Sequence, residues 1–285
     1  MTLCSASKTG VLYIVATPIG NLDDISLRAV QILKNVDTIL CEDTRHSKPL
    51  LRHLGIQKPL TAFHAHNEAQ KFPSILNDLA TGRSFALISD AGTPLISDPG
   101  YPLVAAARQA DIAVIPIPGA CALITALSAA GVPCDTFSFF GFLPAKAHAR
   151  HEKLASLLGM EHTLVFYEST HRIHACMDAI GDVFGETCVV LAKELTKTFE
   201  HFLQGSVSEI KDWLQADPGH VKGEFVLIIP PRSIAKPRSE GQRTLEILLK
   251  ELPLKQAVHL AAEISQNPKN DLYQSALNWQ KQQGD

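Results

Sequence analysis

The residues best suited to chemistry fall in four short loops, each following an apolar run. The densest is Ser89-Asp90-Ala91-Gly92-Thr93-Pro94-Leu95-Ile96-Ser97-Asp98-Pro99-Gly100, with two aspartates, two glycines, two prolines and three hydroxyls. Carboxylates and hydroxyls hold polar ligand groups, and glycine lets backbone approach a ligand closely. Ser97 or Asp98 also serves as a cap for a helix that Pro99 begins, but capping leaves residues 90–94 without a purpose. Thr17-Pro18-Ile19-Gly20-Asn21 is a tight turn with Gly20 at its bend. In Pro118-Gly119-Ala120-Cys121-Ala122 the small residues either let a flat ligand lie against backbone or simply open a helix. Glu42-Asp43-Thr44-Arg45 supplies two carboxylates for proton transfer, or an ion pair with Arg45 or Arg172 that holds the loop.

These loops need strands behind them. Apolar, β-branched runs at 11–16, 37–41, 85–89 and 112–117, with a weaker one at 60–63, predict strands buried on both faces of a parallel sheet. Helices are expected at 25–33, 47–54, 68–80, 99–110 and 121–130, with Gly131 as a stop. Residues 137–142 open a second half, with strands expected at 163–167, 188–193, 198–203 and 225–229. Their short connections suit antiparallel or mixed pairing. The expected fold class is therefore α/β: an N-terminal parallel-sheet domain over 11–120, a mixed-sheet domain over 121–230, a linker at 231–242 and a helical tail over 243–281. In the tail, helical periodicity covers 245–252, 254–264 and 270–279, broken by Pro253 and Pro268.

Composition narrows the ligand. Among 285 residues, 46% are apolar and the net charge is −3, so the chain has ample core and no global basic field. No GxGxxG or GxxxxGK[ST] occurs, which disfavours dinucleotides and nucleoside triphosphates. The six cysteines form no CxxC pair, and nothing at suitable spacing joins His64 and His66, which would share a face if their segment were a strand. No metal is expected. Without a signal-like N-terminus or an apolar run of membrane length, the expected location is the cytoplasm, with no membrane contact.

Taken in order, Thr17-Pro18-Ile19-Gly20-Asn21-Leu22, Glu42-Asp43-Thr44-Arg45, the 89–100 loop, Phe166-Tyr167-Glu168-Ser169-Thr170-His171-Arg172 and Lys222-Gly223-Glu224 closely resemble one family. That family is the 16S ribosomal RNA cytidine 2′-O-ribose methyltransferases, ribosomal small subunit methyltransferase I, of the tetrapyrrole methylase superfamily. The resemblance runs over about residues 11–230 and reaches the tail at Leu252-Pro253-Leu254-Lys255. It implies two α/β domains of the tetrapyrrole methylase type, S-adenosylmethionine between them, a homodimer, and 16S rRNA in the small ribosomal subunit as partner. Two features depart from the family pattern: Pro-Gly-Ala at 118–120 where relatives commonly have Pro-Gly-Pro, and the weakly basic Gln266-Asn267-Pro268-Lys269-Asn270.

By the same resemblance, the cofactor contacts fall on Pro18, Ile19 and Gly20; on Asp90, Ala91, Gly92, Thr93 and Pro94; on Gly119, Ala120, Cys121 and Ala122; and on Phe166, Tyr167 and Phe225 of the second half. Methyl transfer to a ribose hydroxyl is an in-line displacement that needs positioning first and a proton acceptor second. Glu42, Asp43, Lys193 and Glu194 are the catalytic candidates. For RNA, charge points to Arg45 and Arg172, to the basic run Lys146, His148, Arg150, His151 and Lys153, and to the linker's Arg232, Lys236 and Arg238. The tail reads either as an RNA-contacting helix-turn-helix or as a dimerisation module. Two rival functions stay open here: a small-molecule methyltransferase of the same superfamily, and a non-catalytic ribosome assembly factor.

Overall fold

The β-branched runs and their helical partners build two five-stranded sheets in a computed structural model that describes residues 9–231 and 240–282. In the first sheet β1 (Val11–Val15), β2 (Thr38–Cys41), β3 (Leu60–Ala62), β4 (Phe85–Leu87) and β5 (Ala113–Ile117) are all parallel, in the order β3-β2-β4-β1-β5. Parallel strands need crossovers, and α1 (Leu27–Asn35), α2 (Thr44–His53), α3 (Glu68–Ala80) and α4 (Tyr101–Gln109) supply them. One sheet face packs Val15, Leu33, Ile39 and Ile88, and the other packs Leu12, Leu40, Leu79 and Leu103. Every strand therefore ends its apolar run at the same edge, where the polar loops leave it.

The second sheet contains β6 (Phe137–Phe142), β7 (Thr163–Ser169), β8 (Cys188–Lys193), β9 (His201–Ser206) and β10 (Glu224–Ile229), ordered β6-β7-β10-β8-β9. Only β6 and β7 run parallel; the other pairs are antiparallel, so the sheet is mixed. One face carries α6 (Ala147–Ala155), α7 (Ile173–Phe184) and α8 (Val207–Ala216), packed through Leu154, Met177 and Ile210 around Phe166. The opposite face receives α5 (Ala122–Ala129), whose Leu123, Ala126 and Leu127 meet Val165, Val190, Val226 and Ile228. Strand alternation thus sends Phe166 and Tyr167 to opposite faces.

The chain forms two compact units, with the division after Pro231. Both sheets belong to the first. The second comprises α9 (Glu240–Leu248), α10 (Leu254–Ser265) and α11 (Lys269–Gln282), held by Leu245, Ala257, Val258, Ala261, Leu272 and Ala276. Helix α9 starts inside the expected linker; Arg232, Lys236 and Arg238 lie outside the described residues. No helix among the described residues is long and apolar enough to cross a membrane.

Several expected boundaries move, each for a local reason. The expected buried strand at 112–117 is the sheet-edge strand β5, with Ala113, Ile115 and Pro116 exposed; an edge is also where a proline's missing N–H costs no ladder bond. Helix α2 begins at Thr44, three residues before the expected start, because Asp43 accepts a hydrogen bond from the Arg45 N–H and so caps it. The strand expected at 198–203 begins at His201. Glu194 and Thr196 adopt positive φ, and the Glu200 carboxylate accepts from the Thr196 N–H, coiling the threonine-rich segment into turns. His64 and His66 follow β3 in a turn, so no strand aligns them on a face.

Pro99 does not begin a helix, and neither Ser97 nor Asp98 caps one. Helix α4 starts at Tyr101, with Gly100 as its cap residue at φ +126°, and the Glu68 carboxylate accepts from the Gly100 N–H at 2.9 Å. Leu95 and Ser97 also sit at positive φ, which keeps the loop coiled past Pro99 and frees Asp98 for another role. A Cβ on Gly100 would stand 2.7 Å from Leu87 Cδ2. Gly100→Ala is therefore expected to destabilise the protein by about 2–4 kcal/mol, combining a strained φ with overpacking, and to lower its melting midpoint by roughly 5–10 °C. A calorimetric midpoint equal to that of the unsubstituted protein would refute this.

Candidate active site

Three of the loops are tied to one another before any ligand is considered. Thr17 and Gly92 exchange backbone hydrogen bonds of 2.9 and 3.1 Å, forming a two-residue bridge between the first loop and the long one. Thr17 Oγ1 donates to the Ser89 carbonyl, and Ser89 Oγ donates to the Gly92 carbonyl. Thr93 Oγ1 donates to the Ala120 carbonyl at 3.0 Å, which ties the third loop to the other two. A Cβ on Gly119 would stand 2.9 Å from Ala16 Cβ, so only glycine permits that approach without a shift. The side chains of Thr17, Ser89 and Thr93 are spent on holding the frame.

Against this frame the second sheet presents Tyr167. Its hydroxyl accepts a hydrogen bond from the Leu123 N–H in the first turn of α5, supplying a cap that the Cys121 side chain does not. Burial pushes its phenol above the ordinary tyrosine range, so it remains an uncharged hydroxyl. Phe139 and Phe142 meet its ring edge-on at 4.7 and 5.8 Å between centroids. Between loops and sheet lies a cavity of about 300 Å³, at the lower end of the range for small-ligand sites. Ile19, Cys121, Ala122, Leu195, Phe225 and Val226 give it apolar walls, and Asp90 and Asp98 give it negative charge.

Of the predicted cofactor contacts, Ile19, Asp90, Ala91, Gly92, Thr93, Cys121, Ala122, Tyr167 and Phe225 line this cavity. Pro18 and Gly20 line an adjoining cavity that shares Ile19, Asp90, Ala91 and Glu224 with the first. Pro94, Gly119 and Ala120 line neither cavity, and Gly119 and Ala120 support the wall instead. Phe166 is a correction: it is fully buried in the core under α6, α7 and α8, because it points to the face opposite Tyr167. The sequence reading missed Ile96, Ser97, Asp98, Phe142, Glu168, Ser169, Leu195, Glu224 and Val226 as lining residues. For Val226 the register that pairs it with Tyr167 is the missing information, and no sequence pattern carries it.

The four catalytic candidates part company. Asp43 and Arg45 form an exposed fork of 2.7–3.2 Å, and those hydrogen bonds hold the Asp43 carboxyl down at about 2. Lys193 is 6% exposed at the end of β8, in register with Phe225 and His201. Glu194 accepts from Lys197 Nζ at 2.8 Å and from the Glu224 N–H at 3.0 Å, so it braces a turn. Glu42 alone joins the loop carboxylates. Burial, then the nearby charges of Asp98 and Asp90, raises it to about 7; burial likewise raises Asp98 to about 6, while the Ser89 hydroxyl pulls it down. Two such carboxyls in contact share a proton near neutrality.

This pair weakens the fold as it ionises. A carboxyl raised on folding adds stability that is fully present below its unfolded value and is lost as pH climbs through the folded one. The window here runs from about pH 4 to about pH 7. Glu42→Gln should flatten that loss, so its denaturation midpoint should overtake that of the unsubstituted protein between pH 5 and 8. Parallel pH dependences would contradict the assignment.

The RNA candidates are also redistributed. Arg150 is 5% exposed and donates to the Pro144 and Ala145 carbonyls, so its guanidinium does not face solvent. Arg172 pairs with the buried Glu168 carboxylate at 3.1 Å and donates to the Leu143 carbonyl, bracing the end of β7. In the same run His151 meets Asp182, His148 meets Glu152, and Lys153 lies over the Phe140 ring. Lys146 remains exposed at the start of α6, and Arg45 remains 88% exposed beside Asp43. Among the described residues no group of three or more histidines, cysteines or carboxylates is arranged to hold a metal.

A parallel sheet joined to a mixed sheet, with a cavity at the strand ends between them, defines the class. The model of the Tetrapyrrole (Corrin/Porphyrin) Methylases matches residues 11–211. Solved structures agree on the fold: uroporphyrin-III-C-methyltransferase from Thermus thermophilus (TM-score 0.55, 21% identical, covering 78% of this chain and 94% of that one) and diphthine synthase (TM-score 0.61, 12% identical, covering 78% and 90%). Closer in sequence are proteins named ribosomal RNA small subunit methyltransferase I. Those of Pasteurella multocida (52% identical, covering 94% of this chain and 97% of the relative) and Escherichia coli O157:H7 (51%, covering 96% and 97%) are two of them. Residues 235–280 match the model described as the RsmI C-terminal HTH domain. The chain belongs to the ribosomal RNA small subunit methyltransferase I family.

Proposed function

We infer that this chain is an S-adenosylmethionine-dependent methyltransferase that acts on the ribose 2′-hydroxyl of a cytidine in 16S rRNA of the small ribosomal subunit. The observation that carries this reading is about 50% identity to rRNA small-subunit methyltransferases over nearly the whole chain, with the C-terminal family model included. Small-molecule methylases of the superfamily share the fold at 21% identity or less in the structures compared, which favours the rRNA reading over theirs. The resemblance further implies a homodimer working in the cytoplasm.

The residues present suit the cofactor. When bound, S-adenosylmethionine supplies a methyl group activated by a sulfonium cation. Ile19, Ala122, Phe225 and Val226 offer apolar surface for a flat base, and Asp90 and Asp98 offer negative charge to its cationic groups. A Cβ on Gly92 would stand 3.2 Å from Ile19 Cγ2 and would force a positive-φ strain, so glycine keeps this part of the cradle open. Transfer of that methyl group to a ribose hydroxyl would release the hydroxyl proton, which a residue of this chain would have to accept. Asp98 lines the cavity and Glu42 stands behind it, so this pair takes the proton. Lys193 and Glu194 hold the adjoining strand end, and Asp43 holds α2.

The test is to incubate the protein with methyl-labelled S-adenosylmethionine and small subunits lacking the modification, then to map the label with nucleases. Label on a cytidine ribose is expected. Label elsewhere, or none, overturns the reading; absence of S-adenosylmethionine binding would favour a non-catalytic assembly factor.

A further inference from the structure

Helix α2 leaves the active-site loop directly: Asp43 caps it and Glu42 precedes the cap. Residues 44–58, its body and the turn into β3, contain four lysines and arginines, two histidines and no carboxylate, in a chain with 29 acidic and 26 basic residues. Three of those cations, Lys48, Arg52 and Lys58, line a cavity of about 480 Å³ on the α2 flank, together with Thr44 and Gln57. No aspartate or glutamate lines it. Arg45 lies outside it and is committed to Asp43.

The turn that closes this cavity is built rather than loose. Gly55 adopts φ +65°, the Gly55 N–H donates to the Arg52 carbonyl, and the Ile56 N–H donates to the Leu51 carbonyl at 2.8 Å. Ile56 is buried, which pins the returning chain so that Lys58 comes to the same hollow as Lys48 and Arg52. Favourable interaction with the carboxyl end of the helix accounts for Arg52 in the last turn. It does not account for Lys48 in mid-helix or for Lys58 beyond the helix. Holding three like charges around one hollow costs repulsion, and a polyanion relieves it.

We propose that this flank of α2 binds the phosphate backbone of the rRNA next to the target nucleotide. At 1.5 Å per residue, Lys48 and Arg52 lie about 8 and 14 Å along the helix from Asp43, so they engage the strand close to the reacting ribose and set its register. The contact is to phosphate and carries no sequence information of its own. The proposal rests on rRNA being the substrate.

The test compares the unsubstituted protein with the K48Q/R52Q/K58Q variant in methyl transfer to small subunits lacking the modification, across a potassium chloride series. S-adenosylmethionine binding is measured separately by calorimetry. For the variant, KM for subunits should rise about tenfold at moderate salt, and the slope of log KM against log salt should flatten by about 2, with cofactor affinity unchanged. The K48R/K58R variant, which keeps the charge, should behave like the unsubstituted protein. An unaltered KM and salt slope in the glutamine variant overturns the proposal, as does a parallel loss of cofactor affinity. If the unsubstituted protein transfers no label to subunits, the rRNA reading falls and the proposal with it.

Discussion

Asp98→Asn should lower kcat for methyl transfer by about 10²- to 10³-fold while leaving the fold intact, the loss typical of a missing general base. Asp98 is the member of the carboxylate pair that reaches the cavity, whereas Glu42 sets its proton affinity from behind. A base must be ionised to work. With Glu42 raised to about 7 and Asp98 to about 6, kcat should climb with pH through that range and level off above it. Glu42→Gln should behave differently. The Glu42 hydrogen bond holds the Asp98 carboxyl down, so its loss should move the rising limb toward alkaline pH and, above that limb, leave the rate within about tenfold of the parent. Rapid-quench single-turnover rates between pH 5 and 9 separate the two. Equal losses in both variants with an unshifted limb would mean that neither carboxylate takes the proton.

That assignment shows how far sequence reasoning reached. The parallel sheet, the tail helices and the 89–100 loop were legible because each rests on local signals: β-branched runs, helical spacing, and a density of polar and turn residues that packing alone does not require. On local signals alone Asp98 is a candidate helix cap, because Pro99 marks a helix start. What displaced that reading is the positive φ of Leu95 and Ser97 and the reach of Glu68 across 32 positions to cap α4, none of which is local. Arg150 and Arg172 looked like RNA contacts because charge usually faces solvent. They turn inward because β7 places a buried Glu168 and the segment after β6 offers the carbonyls of Leu143, Pro144 and Ala145. Strand alternation could have separated Phe166 from Tyr167, but only the position of α5 decides which face carries the ligand.

The second large effect concerns charge discrimination in the cofactor site. Asp90 lines both the main cavity and the adjoining one, and it accepts a long hydrogen bond, 3.4 Å, from the Asp43 N–H. Its removal should therefore cost little stability, and the melting midpoint of Asp90→Ala should stay within about 2 °C of the parent. Binding should respond otherwise. S-adenosylmethionine carries a sulfonium charge that its demethylated product lacks, and Asp90 and Asp98 line the cavity at the loop ends. Hydrogen bonds and close contacts to a charged partner are worth about 1.5–3 kcal/mol, so Asp90→Ala should weaken S-adenosylmethionine by roughly 10- to 100-fold. The neutral-sulfur product should lose much less, because it shares only the apolar walls and the amino-acid end. Product inhibition should then become stronger relative to substrate binding, an effect that calorimetry with both ligands measures directly. Equal weakening of the two would assign Asp90 to the shared amino-acid portion, and unchanged affinity for both would remove it from the site.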